Sequence, residues 1–217
     1  MLSTSLHERP KPRLRGWFHL VAAVLSVPAL IVLVALAPPG SERVGSAIYG
    51  LSLFTAFGVS ALYHRFRWSE RGQARMRAVD HAAIFVLIAG TYTPYCLSVL
   101  EGTTAAVVLA VVWTGAAAGI GIKVWRTDLH IVSGFLYVGL GWSVVVAFPG
   151  LVRALSPAQV AAMVAGCLAY TIGALVLATK WPDPSPGTFG FHEVWHAATV
   201  VAAACFYAVL VSVYAGA

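Results

Sequence analysis

Charge is what this sequence has least of. Asp, Glu, Lys and Arg make up only 10% of its 217 residues, against roughly a quarter in soluble domains. With 59% hydrophobic residues and a mean hydropathy of +0.82, that scarcity excludes water as the main solvent. Cysteine is also scarce. Cys96, Cys167 and Cys205 lie far apart, each in an apolar run, so neither a disulfide framework nor a CxxC metal motif is available; they read as small buried hydrophobes. Low-complexity tracts and internal repeats are missing as well.

What is present is a series of apolar runs of bilayer length, over 17–37, 44–66, 79–99, 103–123, 129–149, 157–179 and 190–214. A hydrocarbon core of about 30 Å takes about 20 apolar residues per helical crossing, and lipid obliges each crossing to satisfy its own backbone hydrogen bonds as a helix. The expected fold is therefore an all-α integral membrane protein, a bundle of seven transmembrane helices. Residues 1–16 form a short basic cytoplasmic segment and 17–217 one membrane domain. The first run imitates a signal peptide, with Arg13 and Arg15 before it and Ala35-Leu36-Ala37 after it. It is too long for an ordinary apolar signal region and Pro38 follows the cleavage-like point, so it reads as a helix. Pro94 inside the third run should kink it after Thr91-Tyr92-Thr93.

The net charge of +6 is topological rather than a nucleic-acid footprint. Twelve of the fourteen Lys and Arg residues fall on one side of the expected membrane: Arg9, Lys11, Arg13 and Arg15, then Arg65, Arg67, Arg71, Arg75 and Arg77, then Lys123, Arg126 and Lys180. Only Arg43 and Arg153 fall on the other. The positive-inside rule then puts the N-terminus in the cytoplasm and, after seven crossings, the C-terminus outside. The expected location is the inner, or plasma, membrane. Trp17, Trp68, Trp125, Tyr137 and Trp181 are expected in the interfacial aromatic belts.

Ionisable groups at membrane depth are costly and default to functional hypotheses. Here they are His19, His64, Asp80, His81, His130, His192, Glu193 and His196. The sharpest pattern is His192-Glu193-Val194-Trp195-His196, an HExxH at the start of the last helix, whose i, i+4 spacing sets two imidazoles on one face to hold one Zn²⁺. A tetrahedral site needs a third protein ligand. Beyond His196 there is no His, Asp or Glu, so the third ligand is expected upstream, with His64 the good candidate because its helix ends on the same side. Asp80 arrives at that side too, to orient an imidazole, hold a water or accept a proton. Ser60 lies one turn from His64 on the same face. His19, His81 and His130 also lie near cytoplasmic helix ends; each is expected to be an interfacial residue rather than a ligand.

Ser60-Ala-Leu-Tyr-His64, the stretch from Asp80-His81 to Thr93-Pro94, and His192-Glu193-Val194-Trp195-His196 together resemble the hemolysin III family. That family is the bacterial branch of the progestin and adipoQ receptor group, in a superfamily that includes alkaline ceramidases. The resemblance spans essentially the whole membrane core. It implies a seven-helix bundle in which His64, His192 and His196 hold Zn²⁺, Asp80 binds it through a water, and Ser60 lines the site. Glu193 is outside that constellation and points about 100° away from His192 on the helix, so it is expected to act as an N-terminal helix charge.

Two functions follow. One is a zinc-dependent hydrolase of lipid amide or ester bonds, with a membrane lipid as substrate and Asp80 and Ser60 assisting. The alternative is a non-enzymatic protein with a structural zinc: receptor-like, serving membrane homeostasis, or pore-forming as the hemolysin name suggests. An intramembrane metalloprotease is disfavoured, because it normally needs an acidic ligand on a later helix and none follows His196.

Overall fold

Apolar periodicity and local capping turn the sequence into eight helices in the computed structural model, which describes residues 11–125 and 129–216. They are α1 (Trp17–Leu36), α2 (Ser41–Arg65), α3 (Glu70–Ser98), α4 (Gly102–Trp125), α5 (His130–Gly141), α6 (Val144–Ala154), α7 (Pro157–Thr179) and α8 (Phe191–Ala215). Of the basic residues assigned to one side of the membrane, Arg9 and Arg126 lie outside the described residues, as do residues 1–10 of the basic segment and the side chain of His130.

Among the described residues six stretches are long and apolar enough to cross a membrane: α1, α2, α4, the α5–α6 pair over Val132–Ala154, α7 and α8. The fifth expected run is broken in two. Around Gly139, Gly141 and Trp142 the hydrogen bonding tightens, with Ser143, Val145 and Val146 each bonding the carbonyl three residues back; glycine is a weak helix former, and a 3₁₀-type turn joins the halves.

The third run differs most from expectation. α3 begins at Glu70, nine residues before the apolar run, because the Ser69 hydroxyl accepts from the Gly72 amide at 3.2 Å and caps it. Its first turns carry Glu70, Arg71, Gln73, Arg75 and Arg77 and its last turns carry Thr91, Tyr92, Thr93, Pro94 and Tyr95, which dilute its apolarity. The helix continues past Pro94 to Ser98, with the Thr91 and Thr93 hydroxyls donating to the Leu87 and Ala89 carbonyls.

α2 packs between α1 and α3, α4 lies against α3, and α8 closes the ring by touching α7, α1 and α3. Hydroxyl pins hold this closure along its depth. Tyr49 donates to the Ala203 carbonyl at 3.1 Å, Tyr95 to the Phe206 carbonyl at 2.8 Å, and Ser46 and Ser98 both meet the Tyr214 hydroxyl. Such interhelical hydrogen bonds act as glue where lipid supplies no hydrophobic contrast between helices.

Of the residues expected in the aromatic belts, Trp17, Trp68, Trp125 and Trp181 are exposed. Tyr137 is instead half-buried, its ring 4.3 Å from that of Phe85 and its hydroxyl donating to the His81 carbonyl.

Candidate metal centre

Four helix segments deliver their polar residues to one end of the bundle. His64 is the penultimate residue of α2, and Ser60 sits one turn before it. His192 and His196 stand in the first two turns of α8. Asp80 lies within α3, and His19 is the third residue of α1.

The three expected ligands converge. One ligand atom from each of His64, His192 and His196 fits within a span of 4.8 Å, and the rings lie 4.5 to 5.0 Å apart, centroid to centroid. His64 and His196 are buried and His192 is half-buried. The Nε2 atoms of His64 and His192 are 3.2 Å apart. Zinc–nitrogen bonds of about 2.0–2.1 Å in tetrahedral geometry place two ligand nitrogens about 3.3 Å apart. His196 Nδ1 is buried without a hydrogen-bond partner among the described residues. An orphaned buried donor or acceptor costs about 1–3 kcal/mol, a cost that ligation of a metal by this nitrogen would remove. An all-imidazole donor set suits zinc. The residues therefore fit the ion.

Asp80 and Ser60 are also brought to the centre. Asp80 lines the same cavity as His64 and His192, with the Ser60 side chain close to its carboxyl. No carboxylate joins the histidine trio within its 4.8 Å span among the described residues, which suits contact through a water rather than direct ligation. The cavity measures about 570 Å³ and extends past Tyr63 and His81 to the exposed Arg77.

Glu193 takes the role of a helix-end charge. It is fully buried, accepts from the Gly190 amide at 2.9 Å and forms an ion pair with Arg15. Together with Asp183, which accepts from the Phe191 amide, it complements the positive end of α8. Both of its oxygens are engaged away from the histidines.

The segment before α1 straps across this end. The Arg13 and Leu14 amides donate to the Gly187 and Thr188 carbonyls at 3.1 Å, Arg15 pairs with Glu193, and the Lys11 ammonium donates to the His64 carbonyl. Partial burial, and then the charges of Arg15 and Arg65, lower the Lys11 pKa. At the turn into α1, Gly16 has φ +79°, and a Cβ there would lie 2.9 Å from His64 Cβ. Only glycine admits this approach without strain.

His19 departs from its expected interfacial place. It is buried, 7% exposed, and its ring stacks on that of His196 at 3.8 Å with a 10° tilt. Its Nδ1 is 2.7 Å from the Ser60 hydroxyl and its Nε2 is 2.9 Å from that of Thr199. Ser60 lies one turn from His64 and Thr199 one turn from His196, so His19 meets a hydroxyl beside two of the three expected ligands. His81 lines the cavity beside His192 but stays outside the trio.

These features define a multi-pass helical membrane protein with a buried three-histidine centre at one end of its bundle. A match to the family described as haemolysin-III related covers residues 7–207, and the chain belongs to that family. It is similar to Hemolysin-3 of Bacillus cereus, 34% identical over 183 residues that cover 82% of this chain and 80% of the relative. A Hemolysin-3 homolog of Bacillus subtilis (strain 168) is 33% identical, covering 88% and 89%. The human Monocyte to macrophage differentiation factor is 27% identical, covering 85% and 78%.

Proposed function

We propose that this protein is a zinc-dependent hydrolase of lipid amide or ester bonds in the inner membrane, with seven crossings, a cytoplasmic N-terminus and the metal centre at the cytoplasmic end. The observation that carries the reading is the convergence of three imidazoles from α2 and α8 within 4.8 Å, beside the acid of α3. In this reading α3 makes the seventh crossing, its depleted apolarity reflecting polar residues that face the bundle interior.

His64, His192 and His196 would hold the ion. When bound, zinc supplies Lewis acidity toward a carbonyl oxygen and toward water. Asp80 takes a proton from water as it adds to the acyl carbon, and returns that proton to the amine or alcohol as the C–N or C–O bond breaks, releasing a fatty acid. Ser60 lines the site beside Asp80. The cavity at the bundle end gives the lipid head group a place beside the histidines.

Elemental mass spectrometry of the purified chain tests the centre. The expected result is about one zinc per chain, lost in His64→Ala, His192→Ala and His196→Ala and kept in Glu193→Gln. No zinc in the native chain, or zinc retained without His64, overturns the ligand set. Release of fatty acid from amide and ester lipids, abolished by Asp80→Asn with zinc still bound, tests the chemistry; leakage of vesicles without hydrolysis would favour the pore-forming alternative.

A further inference from the structure

A fourth imidazole lies against the histidine trio without joining it. The His19 ring is held between Phe57, at 5.1 Å, and His196, at 3.8 Å. Both of its nitrogens are occupied, Nδ1 by the Ser60 hydroxyl and Nε2 by the Thr199 hydroxyl. The direction of the second bond is fixed by its neighbour. Thr199 gives its own hydrogen to the His196 carbonyl at 2.8 Å, so toward His19 it accepts, and Nε2 carries a proton. At Nδ1 the bond to Ser60 uses either the nitrogen lone pair or a second N–H. In both cases neither nitrogen has a lone pair to offer a metal.

We infer that His19 is a withheld imidazole, kept out of the coordination sphere by Ser60 and Thr199, whose stacked ring positions His196 and leaves the metal with three protein ligands and one open position. The inference rests on the zinc reading above and deepens it, because an open position distinguishes a catalytic-type centre from a structural one closed by four protein ligands. His19 is a positioning residue. The two hydroxyls lock its ring, and the locked ring fixes the plane of His196 through a face-to-face contact. Partners that orient a metal ligand are typically worth 10–100-fold in metal affinity.

The test uses the full chain in detergent, loaded with Co²⁺ in place of zinc, and reads the visible absorption bands with and without azide. The native protein should bind Co²⁺ and shift its bands on azide addition. His19→Phe, which keeps a stacked ring but loses both hydrogen bonds, should keep the band positions and the azide response while its Co²⁺ affinity falls about 10-fold; His19→Ala, which loses the stack as well, should fall nearer to 100-fold. A native protein blind to azide would show that the fourth position is closed, and bands that change in His19→Phe to those of a centre with one nitrogen fewer would show that His19 is a ligand; either result overturns the inference. Equal affinity in native, Phe and Ala forms would overturn the positioning role. Should the variants fail to fold, the azide response of the native protein alone decides whether the fourth position is open. Failure of the native chain to bind Co²⁺ at all would instead bring down the metal reading, and this inference with it.

Discussion

The helices that build the histidine centre and those that complete the ring obey opposite rules. In α2 and α8, which supply the three histidines, 56% and 39% of the most apolar stretch is buried; in α4, the α5–α6 pair and α7 it is 22%, 17% and 22%. The first group is more buried yet carries the three histidines and Glu193, while the second, which also buries Lys123, turns Phe135, Leu168, Ile172 and Leu175 outward. In lipid the outside of a bundle is as apolar as any core. Burial around the histidines therefore goes with hydrogen bonding and fixed geometry, and exposure goes with hydrophobicity.

This contrast breaks most readily at its aromatic positions. Phe85 is fully buried, its ring against Tyr137 and so close to Gly119 that a Cβ there would meet it at 2.3 Å. Phe85→Ala should cost about 3–5 kcal/mol in an equilibrium unfolding titration in mixed micelles. The outward Phe135, 76% exposed, should lose less than about 0.5 kcal/mol on the same substitution. Equal costs would mean that the two faces do not differ as described.

Glycines sharpen the contrast at the next scale. Gly16→Ala must place an L residue at φ +79° and press a methyl toward His64. The left-handed backbone costs about 1–2 kcal/mol, and the displaced His64 should lower zinc content as well as stability. Gly139→Ala, with nothing within 4 Å of the added carbon, should be neutral or stabilising by up to about 1 kcal/mol. Thermal unfolding and metal content measured on the same samples check both.

The smallest effect separates stability from the site. Ser156 caps α7 by accepting from the Gln159 amide, and Gln159 returns a bond to the Ser156 amide. Ser156→Ala should cost about 1 kcal/mol with zinc content unchanged, because α7 supplies no ligand. A drop in bound zinc there would show that the outer arc and the centre are coupled.

The same contrast explains what was legible in the sequence. Helices that face lipid announce themselves: the run read as 157–179 is the helix Pro157–Thr179. The trio was legible because His192 and His196 share a helix face and because His64 ends its helix on the matching side. α3 was harder to place, since its start is set by a serine cap and a polar first half that an apolar scan passes over. His19 was placed wrongly, because stacking on a ring 177 positions away and bonding to two hydroxyls on other helices leave no local pattern. Glu193 was read correctly as a helix-end charge, but its partner Arg15 lies 178 residues away and no periodicity connects them.

The strap of residues 11–15 also has a consequence for biosynthesis. The centre is closed by pairs from opposite ends of the chain, Arg15 with Glu193 and His19 with Thr199. A nascent chain that has inserted α1 to α7 holds His64 and Asp80, but neither of the other two imidazoles nor the partners that anchor the strap. On the zinc reading proposed above, metal capture would wait for α8 to enter the membrane. On the same reading a chain cut short before α8 would stay metal-free, and a loaded centre would record that translation had passed His196.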